Sequence, residues 1–322
     1  MKLRILLVTV ILCLMTFGCR SDATTPDESS LRVGVIKALG TISPYVARDL
    51  NYFDEAGLDV QIIDFQDGPT MMEAFVSGGI DIAYGGIAPA AIWHAQGVDL
   101  QVVAATNSGG HLILTRDDSA LQELSDLAGH RVATPRTGSV TDTLFRALVL
   151  GRLAGLDPER DVTIFPGMAP ADMPSALLLT REVDAIVTWE PFAAMCLAQY
   201  EGARILFSFP AYWQEQHGSS YPVNVVSARH DLIEKRRDLL VTFLAAHRRT
   251  QDFINADREK ANAIIAQELG LDSELIALAR SQLDFTYELN IDDCLEILSY
   301  AHELGYLEQL PDAEKLFDLS FQ

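Results

Sequence analysis

The feature that most restricts how this chain can fold is a unit that occurs twice. Met71-Met-Glu-Ala74 precedes Asp81-Ile-Ala-Tyr84, a loop and Pro89-Ala-Ala91; Met173-Pro-Ser-Ala176 precedes Asp184-Ala-Ile-Val187, a loop and Pro191-Phe-Ala-Ala194. Each copy reads as a helix, a strand opening on Asp, a loop, and a helix opening on Pro. Shared order and near-equal spacing predict two structurally related lobes. The 322 residues, 49% of them hydrophobic, are enough to fill two such cores.

Apolar runs alternate with helix-period segments around these units. Strands are expected at Leu31 to Ile36, Leu58 to Phe65, Ile80 to Tyr84, Leu100 to Thr106 and His111 to Thr115. A helix opens at Ser43-Pro44, with Ser43 as cap and Pro44 in the first turn, and runs to about Ala56. The pattern restarts with a helical turn at Leu124 to Leu127. Strands then follow near Val132 to Thr134, at Val162 to Phe165 and at Val183 to Val187, with helices from Ser139, Ala169 and Pro191. Such alternation predicts mostly parallel α/β sheets with helices on both faces. Tyr221 to Ser227 reads as a late strand, and the helices after it are expected to pack back on the first lobe. Residues 31–114 and 221–322 therefore form lobe 1, residues 115–220 lobe 2, and crossings near Thr115 and Tyr221 form a hinge.

At the N-terminus Lys2 and Arg4 precede the apolar run Ile5 to Phe17, then Gly18-Cys19. That run is shorter than the roughly 20 residues a membrane span needs, so 1–18 reads as a signal peptide. The cysteine after Gly18 resembles the acylation site of bacterial lipoproteins, although Thr16 stands where Leu is usual; the alternative is an ordinary signal with an incidental Cys19. Residues 19–30 read as a polar tether. The expected location is outside the cytoplasmic membrane, at the periplasmic face or cell surface, with Cys19 anchored by lipid. A formal charge of −21 argues against nucleic acid as partner. Cys196 and Cys294 read as small buried hydrophobes. No nucleotide-binding glycine motif, serine-hydrolase elbow or zinc-protease motif occurs, so neither enzyme chemistry nor a cofactor is expected.

In open α/β sheets ligands bind beyond the carboxyl ends of the strands, where helix starts offer unpaired N–H groups. Four loops hold that position: Lys37 to Thr41, which includes Gly40; Gly85-Gly86-Ile87; Thr137-Gly138-Ser139; and Thr188-Trp189-Glu190. Gly85-Gly86 fits a simple turn as well as a close approach to ligand. Thr137 to Ser139 fits helix capping, or an oxyanion seat. Trp189 falls after its apolar strand and reads as an aromatic wall. Glu190 either caps its own helix or accepts a hydrogen bond from a ligand N–H. Asn107 and Tyr221 border the cleft at the hinge, and His111 reads as structural.

The chain resembles the nitrate/sulfonate/taurine-type solute-binding proteins at Leu31 to Val35, Tyr52 to Leu58, Gly79 to Ala83, Leu124 to Gly129 and Asp184 to Pro191. The resemblance implies the class II periplasmic-binding-protein fold: two α/β lobes that close on a ligand and dock, as a monomer, on an ABC permease. It also implies ligand contacts at Gly86, Thr137, Ser139 and Trp189. The expected ligand is a small anion such as an organosulfonate; the alternative is an aromatic heterocycle of the pyrimidine thiamine-precursor type. An enzyme of the pyrimidine synthase type, and a sensor lipoprotein, are the remaining classes.

Overall fold

The computed structural model describes residues 29–65 and 68–322; the expected signal segment, Cys19 and the tether up to residue 28 lie outside them. The first half runs β1 (Ser30–Val35), α1 (Ser43–Asp49), α2 (Tyr52–Glu55), β2 (Asp59–Asp64), α3 (Gly68–Val76), β3 (Ile82–Gly86), α4 (Ile87–Ala95) and β4 (Leu100–Gly109). The second runs β5 (His111–Arg116), β6 (Arg131–Thr134), α5 (Val140–Thr143), a wider-turn helix over Leu144–Ala154, β7 (Thr163–Pro166), α6 (Met173–Leu178), β8 (Ala185–Trp189), α7 (Phe192–Gln199), β9 (Ala203–Ser208) and α8 (Phe209–His217). The chain then returns through β10 (Pro222–Arg229), α9 (His230–Lys235), α10 (Arg237–Ala256), α11 (Arg258–Leu269), α12 (Ser273–Ala279), β11 (Leu283–Phe285), α13 (Ile291–Glu303) and α14 (Ala313–Leu316).

Among the described residues these strands form two sheets, ordered β11-β4-β10-β3-β1-β2 and β7-β6-β8-β5-β9. β2, β1 and β3 are parallel, as are β7, β6 and β8. β10 runs antiparallel to β3 and β4, and β5 antiparallel to β8 and β9. The sheets are thus mixed, and the expected parallel order holds only for the strands of the repeated unit. A parallel neighbour needs a crossover helix, whereas β10 enters from the other lobe and is free to pair in the opposite sense.

The repeat has a shared anchor. Asp81 accepts from the Arg32 main-chain N–H at 2.9 Å and from its guanidinium at 3.0 and 2.7 Å, and returns its own N–H to the Arg32 carbonyl at 2.8 Å. Asp184 does the same with Arg131, at 3.0, 3.1 and 3.0 Å, with the return bond at 2.7 Å. The two carboxylates thereby fix the register of β1 against β3 and of β6 against β8. Burial alone would raise the Asp184 pKa, but the Arg131 and Arg116 guanidiniums outweigh it and hold the carboxyl down at about 2.

Three local expectations are revised. Ser43 is the first helical residue, with Ile42 in the cap position, and the helix ends before Asn51, whose left-handed φ of 56° starts a separate turn. His111 to Arg116 belongs to the second sheet, so the first crossing falls at Gly110 rather than near Thr115. Finally, the C-terminal helices do not pack on the first lobe alone. α13 lies against both α4 and the Leu144–Ala154 helix, Arg152 stacks over the Tyr300 ring at 4.4 Å and pairs with Glu303, and α12 meets α7. One apolar core accordingly runs from Met71 and Phe75 through Leu144 and Phe145 to Ile297 and Tyr300.

The hinge strands are tied to each other and to α10. Gly109 N–H donates to the Tyr221 carbonyl at 3.0 Å, and the Tyr221 hydroxyl lies 2.8 Å from His111 Nδ1. Behind them His247 bridges the Ala105 carbonyl (2.8 Å) and the Tyr84 hydroxyl (3.1 Å). Gly109 has φ 70°, and a Cβ there would lie 2.7 Å from the Gln282 carbonyl oxygen. Gly109→Ala combines left-handed strain with a backbone clash, for an expected loss of about 2–4 kcal/mol. Urea unfolding should show it as a lower midpoint at unchanged slope.

Candidate ligand site

The carboxyl ends of β1 and β3 face those of β6 and β8 across a cavity of about 740 Å³. Its rim is drawn together: a Cβ on Gly86 would sit 3.3 Å from Val140 Cγ2, and one on Gly138 would sit 3.6 Å from Ile92 Cδ1. Loops of the two lobes therefore touch directly at the mouth.

Most of the residues singled out in the sequence meet here. Gly40, Thr41, Gly85, Gly86, Asn107, Thr137, Gly138, Ser139, Trp189 and Glu190 all line the cavity. Lys37 does not. Its Nζ pairs with Glu268 at 3.1 Å and sits 4.6 Å over the Tyr45 ring. Tyr221 is not part of the lining either; it is fully buried, with its hydroxyl against His111. Thr41 lines the wall, but its hydroxyl is spent on the Ile36 carbonyl at 2.6 Å.

The first lobe contributes a polar corner. Asn224 Nδ2 donates to Asn107 Oδ1 at 2.8 Å, and the Thr106 hydroxyl donates to the Gly40 carbonyl at 2.7 Å. A Cβ on Gly40 would fall 2.6 Å from Asn107 Oδ1, so only glycine lets that turn lie against the amide pair.

In the second lobe the loop before α5 is organised by its own acid. Asp142, fully buried, accepts from the Gly138 N–H at 3.1 Å, from Arg146 Nε at 2.8 Å and from the Tyr306 hydroxyl at 2.7 Å. Ser139 Oγ in turn accepts the Asp142 N–H at 3.2 Å, and Gly138 has φ 81°. Two of the three expected oxyanion groups are thus engaged inside the loop. What faces the cavity is the start of the helix itself: Val140 and Thr141, whose amides precede the first intrahelical bonds, and the Thr141 hydroxyl.

Trp189 is the last residue of β8, not part of the loop after it, and its half-buried ring lies edge-on to Phe192 at 6.4 Å while lining the cavity. Glu190 follows across a cis bond to Pro191. The helix-capping alternative is the one the structure holds: Oε2 accepts the Ala194 N–H of α7 at 2.9 Å, and the residue, only 2% exposed, lines the cavity. Burial pushes its carboxyl up to about 7, against the pull of the Ala194 N–H. Burial likewise holds His111 down at about 3, so that ring is neutral.

Sequence reasoning missed several lining residues. Trp93 and Ile92 sit in a helix-period segment that reads as core, and Arg136 lies one residue before the loop singled out. Tyr84, in the middle of β3, and Leu283, at the start of β11, lie on strands whose neighbours are distant in the chain. Arg136 is the one cationic lysine or arginine side chain in this lining among the described residues.

The sequence profile of the NMT1-like family matches residues 24–270. A relative in Escherichia coli (strain K12), provisionally named for binding aliphatic sulfonates, is 29% identical over 272 residues, covering 83% of this chain and 79% of that one. The crystal structure of the periplasmic aliphatic sulphonate binding protein of Escherichia coli superposes with a TM-score of 0.75 at 25% identity, over 91% of this chain and 99% of that one. The periplasmic nitrate-binding protein of Synechocystis PCC 6803 shares the fold, with a TM-score of 0.76 at 16% identity over 91% and 87% of the two chains.

Proposed function

The chain belongs to the NMT1-like family, and from that premise we propose that it is the extracytoplasmic solute-binding component of an ABC importer. It closes two lobes on a small anionic organic solute of the sulfonate class and presents it, as a monomer held by lipid on Cys19, to membrane permease subunits. The observation that carries the anion is the open helix start at Val140 and Thr141, beside Arg136 in the same cavity wall. Unpaired N–H groups and the positive end of a helix dipole favour an oxyanion without requiring a compensating lysine. Trp189 and Trp93, one from each lobe, supply apolar surface for the organic part. The similarity to named sulfonate-binding relatives supports the same class.

A thermal-shift series tests this directly. Alkanesulfonates at a hundred times their dissociation constant should add about 2.7 kcal/mol to folding stability and raise the melting midpoint accordingly. A series in which sulfonates leave the midpoint unchanged, while pyrimidines raise it, would exclude the sulfonate reading.

A further inference from the structure

After the hinge, the chain crosses between the two sheets once more in each direction. β11 pairs with β4 of the first sheet, and the Ala105 N–H donates to the Tyr287 carbonyl at 2.9 Å just beyond it. Further along, the Asp318 N–H donates to the Val102 carbonyl at 3.0 Å and Gln322 Nε2 to the Val103 carbonyl at 2.9 Å, again on β4. Between these two moorings α13 lies over α5 and the Leu144–Ala154 helix of the second lobe. Asp293, in its first turn, accepts from Trp213 Nε1 at 3.1 Å and from the Ser219 hydroxyl at 2.9 Å, and Glu303, at its end, pairs with Arg152. Residues 291–307 are therefore a strap, fastened to the first sheet on both sides and laid across the second lobe in between.

The strap delivers a hydroxyl. Gly305, at φ 73°, turns the chain out of α13, and the Tyr306 N–H returns to the Ala301 carbonyl at 2.9 Å. The half-buried Tyr306 then places its hydroxyl 2.7 Å from Asp142 Oδ2, the same oxygen that accepts the Gly138 N–H at 3.1 Å. Burial and the Asp142 charge raise the Tyr306 pKa above that of an ordinary phenol, so the group is a donor. Arg146, on the other oxygen, stands one turn along from Asp142 and moves with it. Of the three donors, only Tyr306 refers the carboxylate to the opposite sheet. It is not in the cavity lining, and it lies beyond residue 270, where the family match ends.

We infer that Tyr306 is a positioning residue of the ligand site: through Asp142 it holds residues 137–139 and the helix start at Val140 and Thr141 in the shape that receives a ligand. This rests on the reading of that helix start as the anion seat. Two donors on one oxygen fix the direction of the carboxylate, and the loop bonded to it follows. The seat in the second lobe is thus completed by a side chain 164 residues away that is tied to the first sheet.

Tyr306→Phe, which removes the hydroxyl and keeps the ring, tests this in the full chain. In hydrogen–deuterium exchange of the ligand-free protein, amides over residues 137–143 should exchange about fivefold faster than in the native protein, and calorimetric titration should show butane-1-sulfonate bound about tenfold more weakly. Arg152→Met is the comparison. It cuts the strap's tie through Glu303 and the Tyr300 ring, leaves Asp142 untouched, and should keep native exchange over 137–143 and native affinity. Urea unfolding checks that both variants are folded. Native exchange over 137–143 or native affinity in Tyr306→Phe overturns the inference and leaves the sulfonate reading intact. So does an equal change in Arg152→Met, which would make the effect a general loosening of the strap. A native protein that binds no sulfonate refutes that reading instead, and the exchange comparison then decides on Tyr306 by itself.

Discussion

Asp142→Ala is expected to destabilise the protein by about 3–5 kcal/mol, and to weaken ligand binding in whatever fraction stays folded. Removing one member of a buried ion pair leaves the other charge unsolvated, which is the costly half of the change. Here the abandoned group is Arg146, 7% exposed, although Glu159 at 2.7 Å retains one partner for it and sets the loss near the lower figure. The Gly138 N–H and the Tyr306 hydroxyl lose their acceptor at the same time. Because Gly138 lies in the loop that leads into the open helix start, the substitution should also disorder the seat for the anion. Asp142→Asn keeps an acceptor oxygen and the side-chain volume, and should cost clearly less. Urea unfolding of the two variants, with affinity measured on the folded population, gives both numbers.

Trp189→Ala is expected to reduce ligand affinity by about 25-fold, equivalent to roughly 2 kcal/mol, with little change in stability. The indole is half-buried and its remaining surface faces the cavity, so truncation removes contact with ligand more than contact with core. Lys37→Ala is the matching control. Lys37 was an expected ligand residue, but its charge is paired with Glu268 on α11, away from the cavity, and affinity should not move. A Trp189 variant with native affinity would take the aromatic wall out of the site; a Lys37 variant with lowered affinity would put that side chain back into it.

Local signals in the sequence carried the architecture where residues interact with near neighbours. Apolar alternation located most strands, and the repeated Asp81 and Asp184 marked equivalent positions in the two lobes. Their partners, Arg32 and Arg131, each followed by Val, lie in β1 and β6, but the pairing emerges only when β1 lies beside β3 and β6 beside β8. What was not legible depended on distant partners. β11 is three residues long and is a strand only because it pairs with β4. β9 is a sheet edge with a mixed burial pattern, so it lacks the alternation that would reveal it. The apolar run from His111 reads as a strand, yet nothing within it says which sheet it joins. Lys37 was misplaced for the same reason, since Glu268 is 231 residues away. Loop chemistry was read more closely: Ser139 does cap its helix, and Glu190 does accept an N–H of its own helix while lining the cavity.

The position of β10 has a further consequence. It lies between β3 and β4 in the middle of the first sheet, yet it begins at Pro222, after the whole second lobe has been made. Until that strand arrives, β3 and β4 have a gap between them and cannot zip together, however long the amino-terminal half waits. The opening half of the chain is therefore obliged to remain incomplete throughout its own synthesis. A polypeptide wired in this order reaches its finished shape only when nearly all of it is free at once.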